Sequence, residues 1–134
     1  MTELLKFAQE VLRSQPFSRL LGAEVSAFEP GKAELRLAIK TELRQQYGFA
    51  HGGVISYLAD NAMTFAGGSM LGNNALTGEF KINYLRPAIG DTLIARAVVK
   101  YAGKQQAVSQ CDIFVVKDGE EKLCATAQGT IVKV

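Results

Sequence analysis

Tyr47-Gly48-Phe49-Ala50-His51-Gly52-Gly53 runs directly into Val54-Ile55-Ser56-Tyr57-Leu58-Ala59-Asp60-Asn61-Ala62-Met63. The only histidine of the chain and two glycines thus stand immediately before a long apolar segment whose middle carries an aspartate. From about Gly52 to Met70 the segment reads as one helix, roughly 28 Å long and too apolar to lie on a surface. It has to be wrapped by a sheet. One stripe, Ile55, Leu58, Ala62, Phe65 and Ser69, is mostly large and apolar and is expected to meet that sheet. A second, Gly53, Ser56, Asp60, Thr64 and Gly67, is small or polar throughout and looks elsewhere. Asp60 is the anomaly: an ionised carboxylate is costly in apolar surroundings and aspartate is a weak helix former. Chemistry is a reason for it that packing is not.

The flanking segments supply the sheet. Thr2 can cap a short amphipathic helix through about Ser14, a cover helix within residues 1–15, with Leu4, Leu5, Ala8, Val11 and Leu12 on one face and Pro16 closing it. Glu29-Pro30-Gly31-Lys32 has the Pro-Gly centre of a type II turn and joins a strand from about Ala23 to Phe28 with one from Ala33 to Ile39. After the central helix come strands from about Leu76 to Leu85, Thr92 to Tyr101, Ala107 to Lys117 and Lys122 to Val134. In the first of these Phe80, Ile82 and Tyr84 alternate with Lys81 and Asn83. Lys117-Asp118-Gly119-Glu120 is the last hairpin turn. The order helix, two strands, long helix, four strands describes a single α+β domain over residues 1–134.

Composition removes several classes of function. The 15 basic and 13 acidic residues leave a net charge of +2 and are scattered, so nucleic acid is not an expected partner. No uninterrupted apolar run is long enough to span a membrane, because Asp60 and Asn61 break the best candidate. The first residues lack a signal-peptide pattern, and Cys111 and Cys124 lack metal or redox spacing, so a cytoplasmic protein is expected. One histidine and two cysteines fall short of a closed zinc site, and no metal or cofactor is expected. Both cysteines read as small buried strand residues rather than nucleophiles.

Three elements in order resemble one family: Gly48-x-x-His51-Gly52-Gly53, Asp60 nine residues after the histidine, and Asn83-Tyr84-Leu85-Arg86-Pro87-Ala88 followed by Gly90-Asp91-Thr92-Leu93. From about Ala33 to Val134 the chain is similar to hotdog-fold acyl-CoA thioesterases of the PaaI-like, phenylacetate-pathway type. The resemblance implies a sheet wrapped round the central helix, a dimer joined edge to edge, and active sites at the subunit interface. Asp60 matches the family's nucleophile or general base, and Gly52 its backbone N–H donor to the oxyanion. A glycine at a helix start suits that task, since its N–H has no intrahelical partner and no side chain blocks the carbonyl. The competing readings are a plain helix-start turn for the glycines and a carboxylate satisfied by Ser56, Asn61 or Thr64.

Other positions carry further expectations. Thr77 stands where relatives place a hydroxyl that orients the attacking water, and Gln45 where they often carry an asparagine. His51 is expected mainly to position the loop and helix start. Gly53 and Tyr57 are candidates for lining the substrate site, with Met63 and Phe65, and Arg86 and Lys104 for holding coenzyme A phosphates. Gly52 and Asp60 are eight residues apart, about 12 Å along one helix, so one carbonyl cannot meet both within a chain. The small-residue face and the absence of repeats also point to a second copy, as a homodimer or a dimer of dimers with composite sites. The rival functions are a hydroxyacyl-thioester dehydratase using His51 with Asp60, and a non-catalytic acyl-CoA-binding protein.

Overall fold

The computed structural model describes residues 2–72 and 74–134. It opens with α1 (Glu3–Arg13), capped by the Thr2 hydroxyl, which accepts the Leu5 N–H at 3.1 Å. Pro16 does more than end that helix: it is the first residue of a second, α2 (Pro16–Leu21), which the sequence reading did not include. Proline suits that position because its missing N–H would have no helical partner there. Strands β1 (Glu24–Glu29) and β2 (Lys32–Ala38) follow as a hairpin, with Gly31 at φ +79°, the conformation a type II turn demands. A short 3₁₀ turn, Thr41–Leu43, leads to α3 (Gly52–Leu71). The chain ends with β3 (Ala75–Tyr84), β4 (Thr92–Ala102), β5 (Gln106–Lys117) and β6 (Glu120–Lys133). Asp118 and Gly119, both at positive φ, make the tight turn between the last two strands.

All six strands pair antiparallel in the order β1-β2-β4-β5-β6-β3, so β1 and β3 are the two edges. The sheet wraps α3, as expected of a hotdog fold. Leu58, Ala59, Ala62, Met63 and Ala66 of α3 are wholly buried against Leu35, Leu93, Ile113 and Ile131 of the sheet. Two helix positions differ from expectation. Gly67 belongs to the sheet-facing side, where a Cβ would stand only 2.7 Å from Ile131 Cγ1. Ser69 is a tie rather than a filler, accepting from the Gly31 N–H at 2.8 Å and donating to the Ala66 carbonyl at 2.6 Å. The face bearing Gly53, Ser56, Asp60 and Thr64 is left incompletely covered. Among the described residues no helix is long and apolar enough to cross a membrane.

The edge strand β3 contains one irregularity that matters for the site. Thr77 pairs with Ile131 and Glu79 with Thr130, leaving Gly78 as the extra residue of a bulge. The bulge shifts the alternation by one, so that Thr77 before it and Phe80, Ile82 and Tyr84 after it all lie on the helix side.

Candidate active site

At the start of α3 the backbone donors can be accounted for one by one. The Ala50 N–H goes to the Ala88 carbonyl at 3.1 Å and the His51 N–H to the Leu43 carbonyl at 2.8 Å. Val54 and Ile55 both donate to the His51 carbonyl, at 3.0 and 3.4 Å. The Gly53 N–H goes to His51 Nδ1 at 2.8 Å. Gly52 alone in this turn has an N–H with no acceptor among the described residues. A free N–H at the positive end of a 20-residue helix is a ready anion donor.

His51 is therefore a helix cap. Because Nδ1 accepts, the neutral ring carries its proton on Nε2. Gly53, expected to line the substrate site, spends its N–H on this cap, and its lack of a side chain is what admits the imidazole: a Cβ there would lie 2.9 Å from Nδ1.

Two turns further along α3, Asp60 meets the edge strand. Thr77 donates to Asp60 Oδ1 at 2.5 Å, and Thr64, one turn on, donates to the Asp60 carbonyl at 2.9 Å with its hydroxyl 2.8 Å from that of Thr77. The carboxylate is fixed through one oxygen, while Oδ2 has no partner among the described residues. Beside Thr64 a groove of about 140 Å³ opens between α1 and α3, with Phe7, Val11, Phe65 and Ala75 in its walls and Gln15 and Asn61 at its polar end.

The other expected residues have surroundings of their own. Met63 is wholly buried in the core. The Tyr57 hydroxyl donates to the buried Ser18 at 2.6 Å and its ring meets Phe17 edge-on, so it holds α2 against α3. Gln45 uses its side-chain oxygen to accept the Tyr47 and Phe49 N–H groups at 2.6 and 3.2 Å, closing its own turn. Arg86 and Lys104 lie towards opposite ends of the sheet. Arg86 donates its N–H to Cys124 of β6, whereas the turn carrying Lys104 is tied through Gln105 to Lys133, nine residues and roughly 30 Å along that strand. Arg86 instead shares an open hollow with Lys117 and Lys122. Burial pushes the Cys111 thiol up to about 12 and the Cys124 thiol to about 11, which leaves both protonated and unreactive at neutral pH.

Tyr84 is the residue that sequence reasoning missed. Its hydroxyl donates to the Gly52 carbonyl at 2.9 Å and lies 2.5 Å from the Ser56 hydroxyl. The sequence signal was an aromatic hydroxyl at the very end of the apolar alternation, three residues before Pro87.

Comparison with known proteins identifies the family. The Thioesterase superfamily profile matches residues 47–122, from the loop before α3 into β6. The acyl-coenzyme A thioesterase PaaI of Escherichia coli is 30% identical over 107 residues, 79% of this chain and 76% of that protein. Among solved structures, a thioesterase family protein from Silicibacter pomeroyi superimposes with a TM-score of 0.89 at 35% identity, covering 93% of each chain. The E. coli PaaI structure, from the phenylacetic acid degradation operon, gives 0.83 at 26% identity over 98% of this chain and 96% of that one. The chain belongs to the thioesterase superfamily, as a PaaI-like hotdog thioesterase.

Proposed function

We propose that the protein hydrolyses acyl-CoA thioesters at two composite sites of a homodimer, each combining the Gly52 N–H of one subunit with Asp60 and Thr77 of the other. The observation that carries this reading is the pairing of complementary vacancies on one helix: a free backbone donor at its start and a half-committed carboxylate in its middle. Their separation along the helix, about 12 Å, is bridged when two such helices run antiparallel across a two-fold axis.

The chemistry follows from the groups. Asp60 Oδ2 takes a proton from water as the water oxygen attacks the thioester carbon, while Thr77 keeps the carboxylate aimed through Oδ1. The carbonyl oxygen becomes an oxyanion facing the Gly52 N–H, which is reinforced by the helix dipole. Collapse breaks the carbon–sulfur bond, the thiolate recovers the proton, and free acid and CoA leave. Direct attack by Asp60, through an anhydride, uses the same geometry. The acyl group occupies the groove beside Thr64, and the cationic hollow at Arg86, Lys117 and Lys122 receives CoA phosphates in place of Lys104. The buried reduced thiols suit a reducing cytoplasm. Thiol release across aryl-, short-, medium- and long-chain acyl-CoAs tests the activity. Enoyl formation from a 3-hydroxyacyl-CoA with no thiol release from any ester would make the protein a dehydratase instead, and the commitment of His51 Nδ1 to Gly53 argues against that proton-transfer role.

A further inference from the structure

Tyr84 ends β3 where the strand passes the start of α3. Tyr84 is 52% exposed in the single subunit, so packing within the subunit does not by itself account for its placement. The hydroxyl is committed instead. A carbonyl only accepts, so the Tyr84 proton goes to Gly52, and the proton between the two hydroxyls comes from Ser56. Ser56 to Tyr84 to Gly52 is thus a directed chain of two hydrogen bonds, each polarising the other. The ring completes the contact: a Cβ on Gly52 would stand 3.4 Å from its Cζ and Oη.

Gly52 is the residue of this turn most in need of such support. Glycine has the widest backbone freedom, the first turn lacks ladder bonds to its N–H groups, and an oxyanion donor works only if it is aimed before charge develops. The peptide preceding Gly52 is held through the His51 carbonyl, which accepts from Val54 and Ile55. The peptide following it is held at its N–H by the His51 cap, and its carbonyl, which accepts the Ser56 N–H in the helix ladder, takes Tyr84 as a second donor. Both dihedrals of Gly52 are then set by its neighbours. Resting on the hydrolase reading above, we propose that Tyr84 is a positioning residue that aims the Gly52 N–H at the oxyanion, with Ser56 steering its hydroxyl.

Tyr84→Phe keeps the ring against Gly52 and deletes only the hydroxyl. On the best substrate among phenylacetyl-, hexanoyl- and palmitoyl-CoA, kcat falls roughly 3- to 10-fold, the worth of one hydrogen bond, while KM stays within about two-fold. A CoA trifluoromethyl ketone, whose hydrate mimics the tetrahedral intermediate and gives an oxyanion on losing a proton to Asp60, loses affinity by the same factor, whereas a CoA thioether lacking the carbonyl binds both proteins equally. Ser56→Ala gives a smaller loss of the same kind, and the double variant is no worse than Tyr84→Phe alone. Unchanged kcat in Tyr84→Phe, or equal weakening of ketone and thioether, overturns the proposal. Should Tyr84→Phe not fold, the same two ligands on Ser56→Ala decide it, selective loss of the ketone supporting the role and equal loss refuting it. A wild type that releases thiol from none of the three esters refutes the hydrolase reading and this role together. An active wild type with an indifferent Tyr84→Phe refutes this role alone.

Discussion

Replacing Thr77 with valine removes the hydroxyl that holds Asp60 and keeps the branched shape that packs between α3 and β6. The lost bond is short, 2.5 Å, and its acceptor is a carboxylate. A hydrogen bond to a charged group contributes about 1.5–3 kcal/mol, more than one between neutral groups. If that energy is realised in aiming Oδ2 at water, kcat falls about 10- to 150-fold, since each 1.36 kcal/mol is tenfold in rate. Thr77→Ser keeps the hydroxyl and is expected to retain most of the activity. Thiol release is measured for wild type, Thr77→Val, Asp60→Asn and the double variant, with the two cysteines of the protein subtracted. Asp60→Asn alone should cost roughly 10²-fold or more. Because Thr77 acts through Asp60, adding Thr77→Val to Asp60→Asn should cost little further. The reasoning fails if Thr77→Val is within two-fold of wild type, or if its loss is undiminished on the Asp60→Asn background.

Gly52→Pro removes the N–H outright, so mixing inactive Gly52→Pro and Asp60→Asn subunits should restore thiol release in hybrid dimers; confirmed subunit exchange without recovery excludes composite sites. His51→Gln can still accept the Gly53 N–H, so its rate should fall less than that of Asp60→Asn; equal losses would make His51 a proton-transfer group. On the outer face, burial raises the Glu34 carboxyl, but hydrogen bonds from Ser26 and Arg96 more than offset this and hold it below its ordinary 4.5. A depressed carboxyl stabilises the fold above its unfolded value and loses that contribution as pH falls through the folded one. Urea midpoints should therefore favour wild type over Arg96→Met above about pH 4.5, with the gap narrowing in more acid solution; a gap independent of pH refutes the linkage.

The parts of this molecule that could be read in the sequence are those with long or chemically loud signals. The apolar run after His51-Gly52-Gly53 reads as a helix whose observed end is one residue beyond Met70, because a long, mostly apolar run outweighs local ambiguity. The second helix, Pro16–Leu21, is six residues long, too short for periodicity, and its proline reads as a stop as readily as a start. Gly67 lies on the sheet face and not on the small-residue face; small residues satisfy either side of a buried helix, and only the position of Ile131 decides between them. Asp60 and Thr77 were legible from residue type, but their contact depends on the bulge at Gly78, which no alternation pattern announces. Arg86 and Lys104 were grouped by charge alone; their separation follows from strand pairing, a tertiary fact. Gln45 and Tyr57 each have a polar group that local partners absorb, and the identity of those partners is set by a turn and by α2.

The extra residue in β3 has a consequence of its own. It divides one strand into two frames, Thr77 in the first and Phe80, Ile82 and Tyr84 in the second, each presented to the same helix. Removing Gly78 would merge the frames, and either the hydroxyl or the aromatic-aliphatic row would have to turn to solvent. The bulge thus acts as a phase shifter between the two halves of the strand. It lets Thr77 reach Asp60 without disturbing the register by which Phe80 and Ile82 close the sheet over α3.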